Sequence, residues 1–267
     1  MRIYIDIPSE STQTYKIPLV TYLNHVNAEM GRRFRSAIII CPGGAYAFRS
    51  ATEGEAVAIK YQACGMQAFV LEYSVNVAFP SALVELAASV KYIRDNADAL
   101  DVDPNRVFVC GFSAGGHLAA SLATLWNSDI LKPYFPDVNI IKPSGAILCY
   151  PVITTGKFAQ RETIDNVSGN LSGLAQERLS LEKQVSSDMP PVFIWHTLED
   201  DLVPVENTLL FVKALREFGA SFELHIFPHG RHGLALATEC TAVSEDHINH
   251  SVAQWFDLST VWLKERQ

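Results

Sequence analysis

A single serine, Ser113, separates an apolar run from an alanine-rich run, with Gly111 two positions before it and Gly115 two positions after it. This spacing is typical of a very sharp turn from a strand into a helix, because a side chain at either glycine would collide with neighbouring backbone. The β-branched and aromatic residues at 106–110 predict the strand, and the alanines and leucines at 116–126 predict the helix. The turn makes Ser113 a candidate nucleophile with its hydroxyl exposed above a sheet.

A serine hydroxyl is a weak nucleophile, so it needs an imidazole as general base and a carboxylate to orient that imidazole. Residues 222–233 begin as an alternating strand and end in a proline and glycine loop that carries two histidines. His232 is the predicted base. His229 follows Pro228 directly, and we expect it to shape the loop instead.

The carboxylate should follow the preceding strand, which the apolar run at 191–195 predicts. Three neighbouring carboxylates, Glu199, Asp200 and Asp201, come shortly after that run. A solvated acidic turn is the alternative interpretation of such a charge run. Spacing alone does not choose among the three residues.

Resemblance to a known family makes that choice. The segment from His196 to Pro204 resembles the His-Gly/Thr-x-x-Asp-x-x-Val-Pro segment of α/β-hydrolase esterases, which places the acid at Asp200. Nearly the whole chain resembles the serine carboxylesterases of the α/β-hydrolase superfamily, particularly the small acetyl esterase and acetylxylan-esterase-like group related to hormone-sensitive lipase. The resemblance implies a triad of Ser113, Asp200 and His232, hydrolysis of short-chain esters through an acyl-enzyme, and no metal or organic cofactor.

A second motif is an apolar strand that runs into Pro42 and two glycines, similar to the His-Gly-Gly-Gly oxyanion loop of those enzymes. This chain has proline and Ala45 where many of them have histidine and glycine. The amides of Gly44 and Ala45 are expected to bind the oxyanion together with the amide of Ala114, which begins the helix after the serine. Gly43 is a further candidate donor.

Composition agrees with one α/β domain over residues 1–267, because 48% hydrophobic residues in a chain of this length can bury a large core. The formal net charge of −8 argues against nucleic acids and anionic lipid surfaces as partners, although not against a small neutral ester. No signal-like or membrane-spanning run is evident, so the sequence predicts a cytoplasmic protein. It leaves the association state open, a homo-oligomer included.

The order of elements predicts an α/β-hydrolase fold with a mainly parallel eight-stranded sheet flanked by helices. The predicted strands are 2–7, 16–22, 36–41, 67–73, 106–110, 145–150, 192–195 and 221–227. Helices are predicted at 81–96, 206–218 and 247–266, and Ser50 with Glu53 resembles a capping box for a helix to about Ala63. Such alternation puts all the candidate loops at the carboxyl ends of strands, where open α/β sheets bind ligands.

Residues 154–190 lose the apolar periodicity and are predicted to form a short insertion or small cap. A polar roof of this size suits a compact substrate, so we expect acyl groups from acetyl to butyryl. Tyr46, Phe48 and Tyr150 are candidate walls of the substrate pocket, with a place in the core as the alternative for each.

Two further histidines lie near the predicted site. His117 is expected to pack or hydrogen-bond behind the serine, and His196 to brace the acid loop. His225, His247 and His250 show no spacing typical of metal ligands, so no metal site is predicted.

Three alternative functions remain at this stage. Serine peptidases of the prolyl-peptidase type share the elbow and the residue order, but this chain lacks room for their large accessory domain. A lipase would need a long amphipathic lid or a large apolar insertion. A hydrolase-like binding protein that has lost catalysis is the alternative outside the enzymes.

Overall fold

Eight strands form one sheet in the computed structural model, which describes residues 1–9, 14–25, 29, 34–169, 171 and 173–266. In chain order the strands are β1 (Arg2–Ile7), β2 (Tyr15–Tyr22), β3 (Arg35–Cys41), β4 (Gln67–Leu71), β5 (Val102–Phe112), β6 (Ala146–Cys149), β7 (Val192–Thr197) and β8 (Phe222–Phe227). Their order across the sheet is β1-β2-β4-β3-β5-β6-β7-β8. The pairs β1 with β2 and β2 with β4 are antiparallel, and every other pair is parallel. The predicted mainly parallel sheet is confirmed.

Helices cover both faces of this sheet. They are α1 (Glu55–Ala63), α2 (Ser81–Asp95), α3 (Ser113–Leu125), α4 (Arg161–Ser168), α5 (Leu174–Glu177), α6 (Glu206–Glu217) and α7 (Trp255–Lys264). Alternate residues of β3 belong to different cores: Ile39 to the core that also contains residues of α2, α3 and α6, and Ile38 and Ile40 to the core that contains residues of α1 and α7. A strand buried on both faces reads as a continuous apolar run, and each such isoleucine contributes about 1.5 to 3 kcal/mol. No helix in the described part of the chain has the length and apolar character needed to cross a membrane.

Two helix starts differ from the prediction. The helix expected from residue 247 begins only at Trp255, because the side chain of Asn249 accepts hydrogen bonds from the amides of Ser251 and Val252 and turns the chain there. The capping box at Ser50 is wrong as well. Helix α1 begins at Glu55, after a short 3-10 turn, and the side chain of Glu53 points into the interior instead of back along the helix.

The polar segment 154–190 is fastened to the rest of the domain through Asn207 at the start of α6. The Oδ1 atom of Asn207 accepts hydrogen bonds from the amides of Ile153 (2.9 Å) and Thr154 (3.1 Å), and its Nδ2 donates to the carbonyl of Phe158 (2.8 Å). Further along the segment, the Leu181 amide donates to the Ile153 carbonyl. These bonds hold α4 beside the carboxyl ends of the strands.

Candidate active site

Ser113 lies at the junction of β5 and α3 in the left-handed backbone region, with φ of +53°. A Cβ atom added to Gly111 would lie 2.0 Å from the carbonyl oxygen of Gly115, and one added to Gly115 would lie 2.0 Å from the carbonyl oxygen of Cys41. Contacts that short are impossible, so both positions require glycine. The steric argument made from the sequence is confirmed, and the strained turn leaves the serine where another group can reach it.

Three side chains from separate loops form one hydrogen-bonded series. The Oγ atom of Ser113 lies 2.8 Å from Nε2 of His232, and Nδ1 of His232 lies 2.7 Å from Oδ2 of Asp200. A carboxylate only accepts hydrogen bonds, so Nδ1 carries the proton and Nε2 is free to accept the serine hydroxyl. The series can therefore take a proton from Ser113 and stabilise the imidazolium that results.

Asp200 is held by its own loop. Its Oδ1 atom accepts the amides of Leu202 (3.0 Å) and Val203 (2.8 Å). The pKa of the Asp200 carboxyl lies well below its ordinary value: burial alone would raise it, but hydrogen bonds from His196 and His232 outweigh the burial. The carboxylate is therefore charged at neutral pH.

The neighbouring acids have hydrogen-bond partners other than the imidazole of His232. Glu199 pairs with the exposed His229 (Oε1 to Nδ1, 2.8 Å), as expected of a loop-shaping histidine. Asp201 accepts only the backbone amide of His232 (3.1 Å). Of the three consecutive carboxylates, the structure brings Asp200 alone to the imidazole, as the resemblance implied.

His196 lies behind the acid loop and is fully buried. Its Nδ1 accepts the hydroxyl of Thr208 (2.8 Å), and its Nε2 donates to the carbonyl of Val203 (2.9 Å) and lies 3.2 Å from Oδ2 of Asp200. These contacts brace the loop that carries Asp200, as the sequence predicted.

The loop after β3 runs over the serine. Gly44, Ala45 and Tyr46 all have positive φ (119°, 52° and 57°), and the Gly44 carbonyl accepts two amides further along the loop. The Ala45 carbonyl accepts Nδ2 of Asn166 from α4 (2.8 Å). Among the described residues, the amides of Gly44, Ala45 and Ala114 donate no hydrogen bond within the protein, so these three predicted donors remain available for an oxyanion.

Gly43, the fourth candidate donor, is occupied. Its amide donates to Oε2 of Glu53 at 2.7 Å. Glu53 is 3% exposed, and its other oxygen accepts the hydroxyl of Tyr150 at 2.7 Å. Sequence reasoning missed this residue because it assigned Glu53 to a helix cap. The signal that could have found it is Gly54, which interrupts the helix directly after Glu53.

A cavity of about 220 Å³ opens above Ser113. Phe48 and Leu202, 60% and 58% exposed, lie at this cavity and leave it open to solvent. The full lining is Gly44, Ala45, Phe48, Ser50, Glu53, Ser113, Gln160, Glu162, Thr163, Leu202, Val203, His232 and Gly233. The lining mixes apolar and polar residues, and α4 with the residue before it supplies an amide, a carboxylate and a hydroxyl.

Two predicted pocket walls are wrong. Tyr46 is 2% exposed and turns under the loop, where its hydroxyl lies 3.0 Å from Nδ1 of His117. Tyr150 lies behind the imidazole of His232, with its ring centroid 5.0 Å away at an angle of 69°. Both tyrosine side chains are buried, and neither lines the cavity. Phe48, the third aromatic candidate, does line it.

His117 packs behind the site, as predicted. Besides the contact to Tyr46, its Nε2 lies 2.9 Å from the carbonyl of Leu179. Burial lowers the pKa of His117 to about 4, so this imidazole is neutral at physiological pH. It fixes the oxyanion loop to the segment that contains α5.

The fold and the site together define an α/β-hydrolase: a mostly parallel sheet, a serine on a strained turn after β5, and an acid and a histidine in the loops after β7 and β8. The chain belongs to the BD-FAE family, whose model matches residues 25–215. That match contains Ser113 and Asp200 and ends before His232.

Sequence relatives and a solved structure support the same assignment to the α/β-hydrolases. The chain is 38% identical over 213 residues to endo-1,4-beta-xylanase B of Butyrivibrio fibrisolvens and 32% identical over 213 residues to an acetylxylan esterase of Xylanibacter ruminicola. These matches cover 77% and 76% of this chain, but only 33% and 42% of the two relatives. The structure of an acetyl ester-xyloside bifunctional hydrolase from Caldicellulosiruptor lactoaceticus matches with a TM-score of 0.83 at 36% identity, covering 97% of this chain and 95% of that one. The resemblance found in the sequence is confirmed.

Proposed function

We propose that this protein is a serine carboxylesterase that hydrolyses short-chain acyl esters, acetyl esters above all, through an acyl-enzyme on Ser113. The observation that carries this proposal is the hydrogen-bonded series from Ser113 through His232 to Asp200, which ends beneath a cavity lined by Gly44 and Ala45. The names of the relatives, which include acetylxylan esterase and carboxylic ester hydrolase, support it. None of these names favours a peptidase or a binding protein without catalysis.

In the first half of the proposed cycle, Nε2 of His232 takes the proton of Ser113, and Oγ attacks the acyl carbonyl. The amides of Gly44, Ala45 and Ala114, with the amino-terminal end of α3, stabilise the oxyanion, each amide by about 3 to 4 kcal/mol. Asp200 stabilises the imidazolium of His232. The intermediate then collapses: the bond to the alcohol oxygen breaks, and that oxygen takes the proton from Nε2.

In the second half, a water molecule enters where the alcohol was. His232 takes one proton of the water, the resulting hydroxide attacks the acyl carbon, and the bond to Oγ breaks with return of the proton to Ser113. The products are one carboxylic acid and one alcohol, and the enzyme returns to its starting state. The chain's own residues supply every proton transfer in this cycle.

The small size of the cavity supports a compact acyl group, and the polar side chains among its lining residues support a hydroxyl-rich alcohol. A volume of about 220 Å³ is below the roughly 300 to 1,000 Å³ of pockets for drug-sized ligands. Gln160 and Glu162 at the start of α4 provide polar contacts for the alcohol portion. We therefore propose acetylated sugars as substrates, with residues 154–190 as a small cap over the site.

Hydrolysis of p-nitrophenyl esters from acetate to palmitate tests the proposal, with wild type, Ser113→Ala and His232→Ala measured together. We expect fast turnover of acetate, a steep decline beyond butyrate, and loss of turnover in both variants. Release of acetate from acetylated xylo-oligosaccharides tests the alcohol portion. Absence of turnover on every ester by the folded wild type, or equal rates for acetate and palmitate, would contradict the proposal.

A further inference from the structure

Glu53 is a buried carboxyl that touches neither the imidazole nor the nucleophile by a hydrogen bond. Its Oε2 accepts the Gly43 amide and its Oε1 accepts the Tyr150 hydroxyl, both at 2.7 Å. The ion pairs of the described residues include none to Glu53. An acid buried without a cationic partner is costly for the fold, which points to a specific role.

The hydrogen bonds identify its charge state. The Tyr150 oxygen already accepts the amide of Ala235 (2.9 Å), so its own proton is directed at Glu53. Gly43 offers only an N–H group. Both oxygens of Glu53 therefore face hydrogen-bond donors. A protonated carboxyl would direct its own proton at one of these donors, so the arrangement favours the carboxylate form. Burial raises the pKa of Glu53, while the hydrogen bond from Tyr150 and the charge of His232 act in the opposite direction.

Glu53 connects two loops of the site. On one side it holds Gly43, the residue before the oxyanion donors Gly44 and Ala45. On the other side it reaches, through Tyr150, the amide of Ala235, three residues after His232. The Tyr150 ring also packs edge-on against the imidazole.

The contact with Gly43 is tight. A Cβ atom added to Gly43 would lie 2.7 Å from Oε2 of Glu53, 2.9 Å from the carbonyl oxygen of Phe112 and 3.0 Å from Cβ of Ser113. Gly43 therefore lies closely between the carboxylate of Glu53 and the nucleophile. A shift of Gly43 would move the neighbouring amides relative to Ser113 Oγ, and catalysis is sensitive to such displacements.

We propose that Glu53 is a positioning residue for acyl transfer: as a carboxylate it fixes the oxyanion loop and the His232 loop relative to each other, and its charge favours the imidazolium formed on His232. This inference rests on the proposed esterase function. Among the described residues, the titratable groups near His232 are Asp200 and Asp201 from the acid loop, Tyr150 against the ring, and Glu53 and Glu162, which line the same cavity.

The test is Glu53→Gln, compared with a matched control, Glu85→Gln. Glu85 is likewise buried and accepts a backbone amide (Ser74, 2.7 Å) and a tyrosine hydroxyl (Tyr15, 2.9 Å), and it does not line the cavity. The glutamine amide must face a donor at position 53, so one of the two bonds breaks. We expect kcat for p-nitrophenyl acetate to fall about 10- to 100-fold with KM within about twofold. The loss of charge should also move the acid limb of the pH profile to lower pH by up to about one unit.

Glu85→Gln should leave kcat and the acid limb unchanged. Tyr150→Phe is a second test, which keeps the carboxylate and removes its hydrogen bond from the tyrosine. It should lower kcat about tenfold and leave the acid limb of the pH profile in place. This variant tests the role of Glu53 if Glu53→Gln does not fold. A kcat for folded Glu53→Gln within about twofold of the Glu85→Gln value, or an unmoved acid limb, overturns the role of Glu53 alone. A wild type that neither hydrolyses the ester nor reacts with a fluorophosphonate at Ser113 overturns the esterase function and this inference together.

Discussion

The Nε2 atom of His196 and the Nδ1 atom of His232 reach the same oxygen of Asp200, at 3.2 Å and 2.7 Å. One imidazole lies in the cavity and the other lies fully buried behind the acid loop. Because Oδ1 is engaged by two backbone amides, all of the Asp200 carboxylate is in use. Its orientation is therefore set before any substrate arrives.

Asp200→Asn should lower kcat about 10⁴-fold, because an amide in this place favours the wrong tautomer of His232. Its neighbour is the control: Asp201→Asn removes a charge one residue away but leaves the hydrogen bond to Nδ1 intact, and should cost less than about tenfold. Steady-state hydrolysis of p-nitrophenyl acetate measures both. Equal losses in the two variants would show that Asp200 is not the orienting acid.

Gly111→Ala and Gly115→Ala should each destabilise the fold by more than about 3 kcal/mol, since the added methyl group meets a backbone carbonyl at 2.0 Å. Gly156→Ala is the control, because its nearest contact is a side-chain hydroxyl at 3.2 Å and its φ is not positive. It should cost about 1 kcal/mol or less. Urea unfolding compares the three variants, and a wild-type-like midpoint for Gly115→Ala would contradict the packing described here.

Stability should depend on pH through His117. Its folded pKa is about 4, below the ordinary value of 6.5, so the folded state binds this proton less readily than the unfolded state does. The stabilisation is complete above pH 6.5 and is lost as the pH falls towards 4, by about 3 kcal/mol in total. Urea unfolding between pH 7 and 4.5 should show a shallower decline for His117→Gln than for wild type. Glu53 and Glu85, whose pKa values burial raises, act in the opposite sense but equally in both proteins.

Asn166→Ala should lower kcat about fivefold with little change in the thermal midpoint. Its amide holds the carbonyl of Ala45, and loss of one hydrogen bond of about 1 kcal/mol would loosen an oxyanion donor. Asn96→Ala is matched, because Asn96 Nδ2 also donates to a backbone carbonyl at 2.8 Å, at the end of α2. A wild-type kcat in Asn166→Ala would show that the hydrogen bond from α4 to the oxyanion loop does not contribute to catalysis.

The parts of the site that are local in sequence could be predicted, and those that depend on distant contacts could not. The turn at Ser113 follows from sterics over five residues. Asp200 needed more than spacing, since three carboxylates stand side by side and only the fold decides which one meets the imidazole. Glu53 could not be assigned, because its main partner, Tyr150, is 97 residues away.

The same reasoning explains the wrong pocket walls. An aromatic residue beside a catalytic loop is either a wall or part of the core, and its contacts with distant residues decide which. The hydroxyl of Tyr46 contacts His117, 71 residues away, and that of Tyr150 contacts Glu53, 97 residues away; no pattern of neighbouring residue types specifies such contacts.

The contact between Gly115 and the carbonyls of Cys41 and Pro42 has a consequence for engineering. It packs the start of the oxyanion loop against the helix that bears the nucleophile, so mutations that displace this loop would have to move both at once. Glu162 and Thr163 of α4, with Gln160 just before it, also line the cavity. A library intended to change substrate range should therefore vary α4 and the exposed side chain of Leu202, and leave the glycine-rich turns untouched.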